Sequence, residues 1–245
     1  MTKVLVVGDS CTDIFIYCSA QRLAPDFPVP VLSIDNRTEN PGMAQNVRRN
    51  IESLLSHESG ECDIITNCDW KSVTKTRYVH KDTNHMFFRV DSSGLRDKFE
   101  NDIDYSAYDI VVVSDYDKGF LSSEDIEMIC DSHPRVFLDT KKKIDTWAEN
   151  AFIIKINDYE YQSSYPFSTS IANKIVHTMG SRGAEYQGII YPARVAEVQD
   201  LSGAGDTFLA ALVVGSEKTG SIISGIKFAN YCAAEIVRHR GVNSI

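Results

Sequence analysis

The feature that most constrains this chain is a series of short, nearly unbroken apolar runs, at residues 4–7, 64–66, 110–113, 136–138, 152–156 and 175–178. A strand that alternates apolar and polar residues keeps one face wet; one that stays apolar is covered on both faces. Helical patterns lie between the runs. Residues 46–55 carry Val47, Ile51, Leu54 and Leu55 at helical spacing. Residues 123–130 follow Ser122 and Ser123, either of which fits a helix cap, with acidic residues in the first turn. Strand and helix in alternation imply an α/β fold, a mostly parallel sheet with helices on both faces.

Two segments break the alternation. Residues 27–34 (FPVPVLSI) alternate and hold two prolines, the mark of an edge strand. Residues 74–91 divide into TKTRYVHK, DTN and HMFFRVD, a hairpin around a turn-forming centre. Together they predict a small antiparallel β lid, built from about residues 11–35 and 73–91 and inserted in a single domain spanning 1–245. A second hairpin is expected at 184–191 around Gly188, then helices over about 204–216 and 221–239.

Composition narrows the function classes. At 245 residues and 43% hydrophobic, the chain is long and apolar enough for a full core. A net charge of −9 argues against a protein that coats nucleic acid or an anionic membrane. No run approaches the roughly 18 apolar residues of a membrane span, and the N-terminus lacks a signal-peptide core, so a cytoplasmic protein is expected. The six cysteines form no CxxC pair, and the six histidines, His57 among them, form no HxxxH or HExxH pair. Reduced thiols and no zinc site follow.

One motif carries chemistry. Leu201, Ser202, Gly203, Ala204, Gly205, Asp206 and Thr207 lead into the helical run FLAALVVG. Small residues at a helix start let a ligand approach the free N–H groups, and with the helix dipole they make an anion site. A carboxylate beside an anion is repelled unless it takes a proton, so Asp206 fits a general base for phosphoryl transfer. The same residues also fit an ordinary small-residue helix start with a dipole-favoured Asp206. Neither a P-loop nor a GxGxxG fingerprint is present.

The stretch DLSGAGDTF resembles the C-terminal signature D-T-x-G-A-G-D of the ribokinase-like (PfkB) carbohydrate kinases. Other segments agree in order. VVGDSCTDIF resembles the family's first strand with its substrate-contacting Asp, here Asp13 in preference to Asp9. PGMAQNVRRN resembles its glycine-rich segment, with Gly42 and Asn46. Asn157 to Glu160 matches N-x-x-E, and Thr178 to Gly183 matches T-x-G-x-x-G. RLAPDFPVPVLSID, SDYDKG and Asp139-Thr140-Lys141 further resemble the heptose-7-phosphate kinase domain of lipopolysaccharide-precursor enzymes.

This resemblance implies a ribokinase-like three-layer α/β/α sandwich that moves the γ-phosphate of ATP to a hydroxyl of a sugar or sugar phosphate. It implies Asp206 as base, with Gly203, Ala204 and Gly205 as the anion hole. Asp13, Gly42 and Asn46 line the sugar pocket, and Lys118, Arg77 and Arg89 are candidates for a substrate phosphate. Asn157 and Glu160 organise Mg²⁺, mostly through water, while Thr178, Gly180 and Gly183 meet the nucleotide. Asp200 and Ser202 match part of the family's K⁺ loop.

The chain departs from the family in being short and in having Met43 where a second glycine is usual, which narrows the backbone freedom needed for lid closure. With no nucleotidyltransferase motif after the kinase region, a stand-alone kinase is expected. A degenerate kinase fold that binds a ligand without turnover is the alternative, and a nucleoside or vitamin alcohol as acceptor a weaker one; the lid favours sugars. Phe87, Val79 and Val31 are expected to give the lid an apolar face, and hence a homodimer.

Overall fold

The computed structural model describes residues 2–56, 60–92, 97–242 and 244–245; His57 lies outside the described residues. In chain order the strands are β1 (Lys3–Gly8), β2 (Ser10–Leu23), β3 (Pro30–Met43), β4 (Glu61–Ile65), β5 (Thr74–His80), β6 (Met86–Asp91), β7 (Ile110–Asp115), β8 (Val136–Thr140), β9 (Ile153–Asn157), β10 (Ile175–Thr178), β11 (Ala184–Tyr186) and β12 (Ile189–Tyr191). The helices are α1 (Ala44–Leu55), α2 (Ser123–Ser132), the short α3 (Asp158–Ser164) and α4 (Thr169–Ala172), then α5 (Ala204–Thr219) and α6 (Ile222–Ile236).

The apolar runs meet in one sheet of order β12-β11-β10-β9-β8-β7-β1-β4, parallel from β10 to β4, with β11 and β12 antiparallel at one edge. Successive side chains leave opposite faces. Val4, Val6 and Val112 pack with α1, α5 and α6, while Leu5, Val7 and Val113 pack with α2 and the α3–α4 segment. Both faces are covered, which is why the runs are unbroken. The α2 start carries a full capping box between Ser122 and Asp125.

The second sheet has the order β3-β2-β5-β6. Its two outer pairs are antiparallel, and the hairpins meet through a parallel pairing of β2 with β5. β2 and β3 are 14 residues each, so this sheet takes in residues 10–23 and 30–43, more chain than the motif spacing implied. Asp13 accordingly sits on β2 of the small sheet, not on the first strand of the large one. Phe15, Val79 and Val242 pack on its inner face. Val79, expected on the open face, is therefore turned inward. The outer face instead carries the cross-strand rows Ile16–Tyr78–Phe88 and Ile14–Thr76–Val90, with Phe88 and Val90 46% and 51% exposed.

Candidate active site

The site forms where the small sheet meets the C-terminal ends of the large sheet's strands, the usual ligand-binding edge of an open α/β sheet. At its floor is the start of α5. Gly203 caps the helix at φ 80°, a left-handed conformation that suits glycine, and a Cβ there would lie 3.0 Å from Asn46 Nδ2. Among the described residues, the N–H groups of Gly205 and Asp206 have no acceptor, as the first turn of a helix requires. Asp206 is buried, and both its oxygens are held: Oδ1 accepts from the Tyr116 hydroxyl at 2.5 Å and Oδ2 from Asn46 Nδ2 at 2.8 Å. Burial raises the Asp206 pKa, and the hydrogen bonds from Tyr116 and Asn46 oppose that rise. Burial, then the Asp206 charge, lifts the Tyr116 phenol well above its ordinary value, so this hydroxyl keeps its proton.

The small sheet supplies the opposite wall. Asp13 pairs with Arg77, whose guanidinium lies 5.0 Å from the Phe15 ring centre. Gly42 faces Cys11 across β2 and β3, and a Cβ on it would come within 2.2 Å of Asp13 Oδ2. The glycine is thus what lets Asp13 enter the site. The Lys75 ammonium stands 4.6 Å over the Tyr116 ring and makes no ion pair with a described residue; burial lowers its pKa. Met43 packs with Cys11 and Val73 against Tyr116, so it forms part of the wall.

Other assigned residues lie apart. Lys118 is exposed on the loop after β7, and Arg89 turns back to Asp91 at 2.8 Å on the edge of the small sheet. Asp9, the second choice for substrate contact, accepts from the Tyr116 N–H at 2.6 Å and the Phe120 N–H at 3.3 Å. It shapes the loop that presents Tyr116. Burial, with the Asp115 charge next, pushes its pKa up to about 6.

Of the residues assigned to Mg²⁺ and nucleotide, Asn157 and Glu160 form a capping box at the start of α3, with Asn157 N–H donating to Glu160 Oε2 at 2.8 Å and Glu160 N–H donating back at 3.0 Å. Lys141 pairs with the other Glu160 oxygen. Burial disfavours the Lys141 charge, yet Asp139 and Glu160 together hold its pKa above the usual lysine value. Thr178 is the register partner of Asn157, and Gly180 and Gly183 take φ of 58° and 97° in the turn that follows. Asp200 braces the approach to α5, accepting from Ser202 N–H and Gly241 N–H, each at 2.9 Å.

These residues fit an ATP phosphate chain, which needs free N–H groups and cations at one place. No cluster of three metal-ligating side chains occurs among the described residues. With the Glu160 oxygens already bonded, the site suits a Mg²⁺ that keeps its waters and takes phosphate oxygens, as magnesium prefers. The motifs quoted Tyr116, Asp139 and Lys141 without giving them a role, and Lys75 and Lys155 lie in none of them. Lys155 had a signal: it is the one charge within the apolar run 152–156. The importance of Lys75 and Tyr116 depends on which strands meet, and no local pattern carries that.

Residues 122–245 match a family model described as pfkB family carbohydrate kinase. Over 98% of its length the chain is 27% identical to the bifunctional protein HldE of Helicobacter pylori (strain G27), and it spans 64% of that relative's length. Among solved structures, it superposes on a ribokinase from Thermotoga maritima with a TM-score of 0.75 at 16% identity, covering 99% of this chain and 95% of the other. An Arabidopsis thaliana ribokinase complexed with ribose and ATP gives 0.69 at 16% identity, over 99% and 95%. At these identities the structural matches establish the fold.

Proposed function

The chain belongs to the pfkB family of carbohydrate kinases, and from that premise we propose that it transfers the γ-phosphoryl group of ATP to a hydroxyl of a sugar or sugar phosphate, with a heptose 7-phosphate the favoured acceptor. The observation that carries this reading is Asp206: a buried carboxylate, fixed through both oxygens, one residue from free N–H groups at the start of α5. A base next to an anion cradle is what phosphoryl transfer requires.

Bound ATP with Mg²⁺ supplies the phosphoryl group and screens its charge. Asp206 takes the proton of the acceptor hydroxyl as the acceptor oxygen bonds to phosphorus and the bond from phosphorus to the departing ADP breaks. Gly203, Ala204 and Gly205 leave the backbone open to the charge that develops on the phosphoryl oxygens. Asp13 and Asn46 orient sugar hydroxyls, Gly42 makes room for Asp13, and Arg77, beside Asp13, is the residue assigned to an acceptor phosphate. Asn157 and Glu160 would hold a hydrated Mg²⁺, Thr178, Gly180 and Gly183 would border the nucleotide, and Asp200 and Ser202 would border a K⁺. The small sheet acts as a lid on a single kinase domain, and two lids pair in a homodimer. The cytoplasm is its place, in keeping with six unpaired cysteines. A binding protein without turnover is not favoured, since Asp206, its two donors and the glycine-rich turn are all in place.

The test is ADP release over a panel of sugars and sugar phosphates that includes heptose 7-phosphate. Turnover with at least one acceptor is expected; nucleotide binding with silence on every acceptor would overturn the reading. Asp206→Asn is expected to lower kcat by about 10²–10⁴ with nucleotide affinity nearly unchanged.

A further inference from the structure

We propose that Lys155 is a catalytic residue of this transfer, its ammonium contacting the phosphoryl group in flight at the start of α5; the inference rests on the kinase reading. Lys155 is in the middle of β9, 3% exposed, with Ile154 and Ile156 on either side. Strand alternation sends it to the same face as Ile153, which packs in the core with α5 residues Phe208 and Leu209. A lysine on a doubly covered strand carries a large desolvation penalty and is rarely found without a partner or a task.

Two contacts fix the ammonium. Nζ donates to Asp139 Oδ2 at 2.7 Å, from the neighbouring strand β8. On its other side, a Cβ built on Gly205 would lie 3.4 Å from Nζ. In a helix the Cα–Cβ direction tilts toward the N-terminus. An atom close to that position therefore lies beside the mouth of the first turn, where the Gly205 and Asp206 N–H groups have no acceptor among the described residues. The glycine leaves the way from Nζ to those groups open.

Asp139 is poorly explained as the reason for Lys155. Its Oδ1 is buried with no hydrogen-bond partner among the described residues, and Lys141 Nζ stands 4.0 Å from it, too far for a hydrogen bond. A buried ion pair with an unsatisfied oxygen adds little to stability by itself. The pair makes sense as a positioned cation, with Asp139 holding Nζ toward the anion hole. The transferring phosphoryl spreads charge over three equatorial oxygens, and a fixed cation in a dry site stabilises that charge without reorganising.

The test compares the wild type with Lys155→Met, Asp139→Asn and the double variant Lys155→Met/Asp139→Asn. The double variant leaves no uncompensated buried charge, so it keeps the question answerable where Lys155→Met alone fails to fold. Two readouts are used: kcat on whichever acceptor the wild type turns over, and the tightening of ADP·Mg²⁺ binding by aluminium fluoride, a mimic of the phosphoryl group. The double variant is expected to bind ADP within about threefold of wild type, to lose about 10²–10³ in kcat and to lose the aluminium fluoride tightening, whereas Asp139→Asn retains most of the tightening. A double variant with near-wild-type kcat and full tightening would show that Lys155 only neutralises Asp139, and the proposal falls. A wild type without turnover on any acceptor defeats the kinase reading, and the fluoride readout still decides the role of Lys155.

Discussion

The Tyr116 hydroxyl donates to Asp206 Oδ1 at 2.5 Å, so the proposed base holds a phenol O–H on one of its two oxygens. Lys75 and Lys141 flank the same ring, 4.6 Å and 5.3 Å from its centre. Burial raises the Asp206 pKa, and the Tyr116 hydrogen bond is the foremost influence against that rise. A donor to the charged form favours ionisation, so its loss raises the pKa further. The base works ionised, and kcat/KM therefore climbs with pH through the Asp206 pKa. Tyr116→Phe is expected to move this acidic limb to higher pH. A pH profile of kcat/KM checks it, and a limb that stays in place would show that Tyr116 does not tune the base.

Most of the large sheet was legible in the sequence because its strands are covered on both faces and so remain apolar along their length. The α2 start was legible through Ser122, and the start of α5 through its glycines. The small sheet was harder. Its hairpin at β5 and β6 follows from alternation, but the parallel pairing of β2 with β5 joins distant segments, and Val79 was assigned to the wrong face as a result. Within the candidate site, the sequence marked the positions that carry a backbone requirement, as at Gly42 and Gly203. Lys118 and Arg89 were assigned by charge and motif position; in the structure Lys118 is exposed and Arg89 pairs with Asp91.

Met43 occupies a glycine-like conformation, φ 59° and ψ −131°, immediately before α1, with its side chain 2% exposed. Such a backbone costs a non-glycine residue about 1–3 kcal/mol. Met43→Ala keeps that cost and loses the buried side chain, a loss of about 2–5 kcal/mol. Met43→Gly loses the side chain but sheds the strain. The glycine variant is thus expected to be more stable than the alanine variant by about 1–3 kcal/mol, the reverse of the order found in regular structure. Urea unfolding of both variants measures the difference; an alanine variant at least as stable as the glycine one would remove the strain argument.

Asp9 gives the fold a pH dependence. Its pKa rises from 3.8 to about 6 on folding, through burial first and the Asp115 charge second. A raised carboxyl pKa contributes stability that is fully present below the unfolded pKa and is lost as pH rises through the folded one. The window therefore runs from about pH 4 to about pH 6, and a shift of roughly two units corresponds to about 3 kcal/mol. Asp9→Asn cannot ionise. Relative to wild type, its stability is expected to improve by about 3 kcal/mol between pH 4 and pH 7, as read from urea midpoints across that range. A difference that does not change with pH would mean that Asp9 titrates alike in both states.

The outer face of the small sheet is the surface that calls for a partner. Tyr78 and Phe88 stack across β5 and β6 with ring centres 4.5 Å apart, and Phe88, Val90 and Ile34 are 46%, 51% and 65% exposed. Strand β6 ends the sheet with an open edge, a ready template for another strand. A second copy placed lid to lid would cover both the apolar rows and the edge. Light scattering at micromolar concentration is expected to give twice the chain mass of 27.4 kDa. Phe88→Lys sets a charge in the centre of that face and is expected to give the monomer mass with the fold intact by circular dichroism. A wild type that is already monomeric, or a Phe88→Lys variant that stays dimeric, would place the contact elsewhere or remove it.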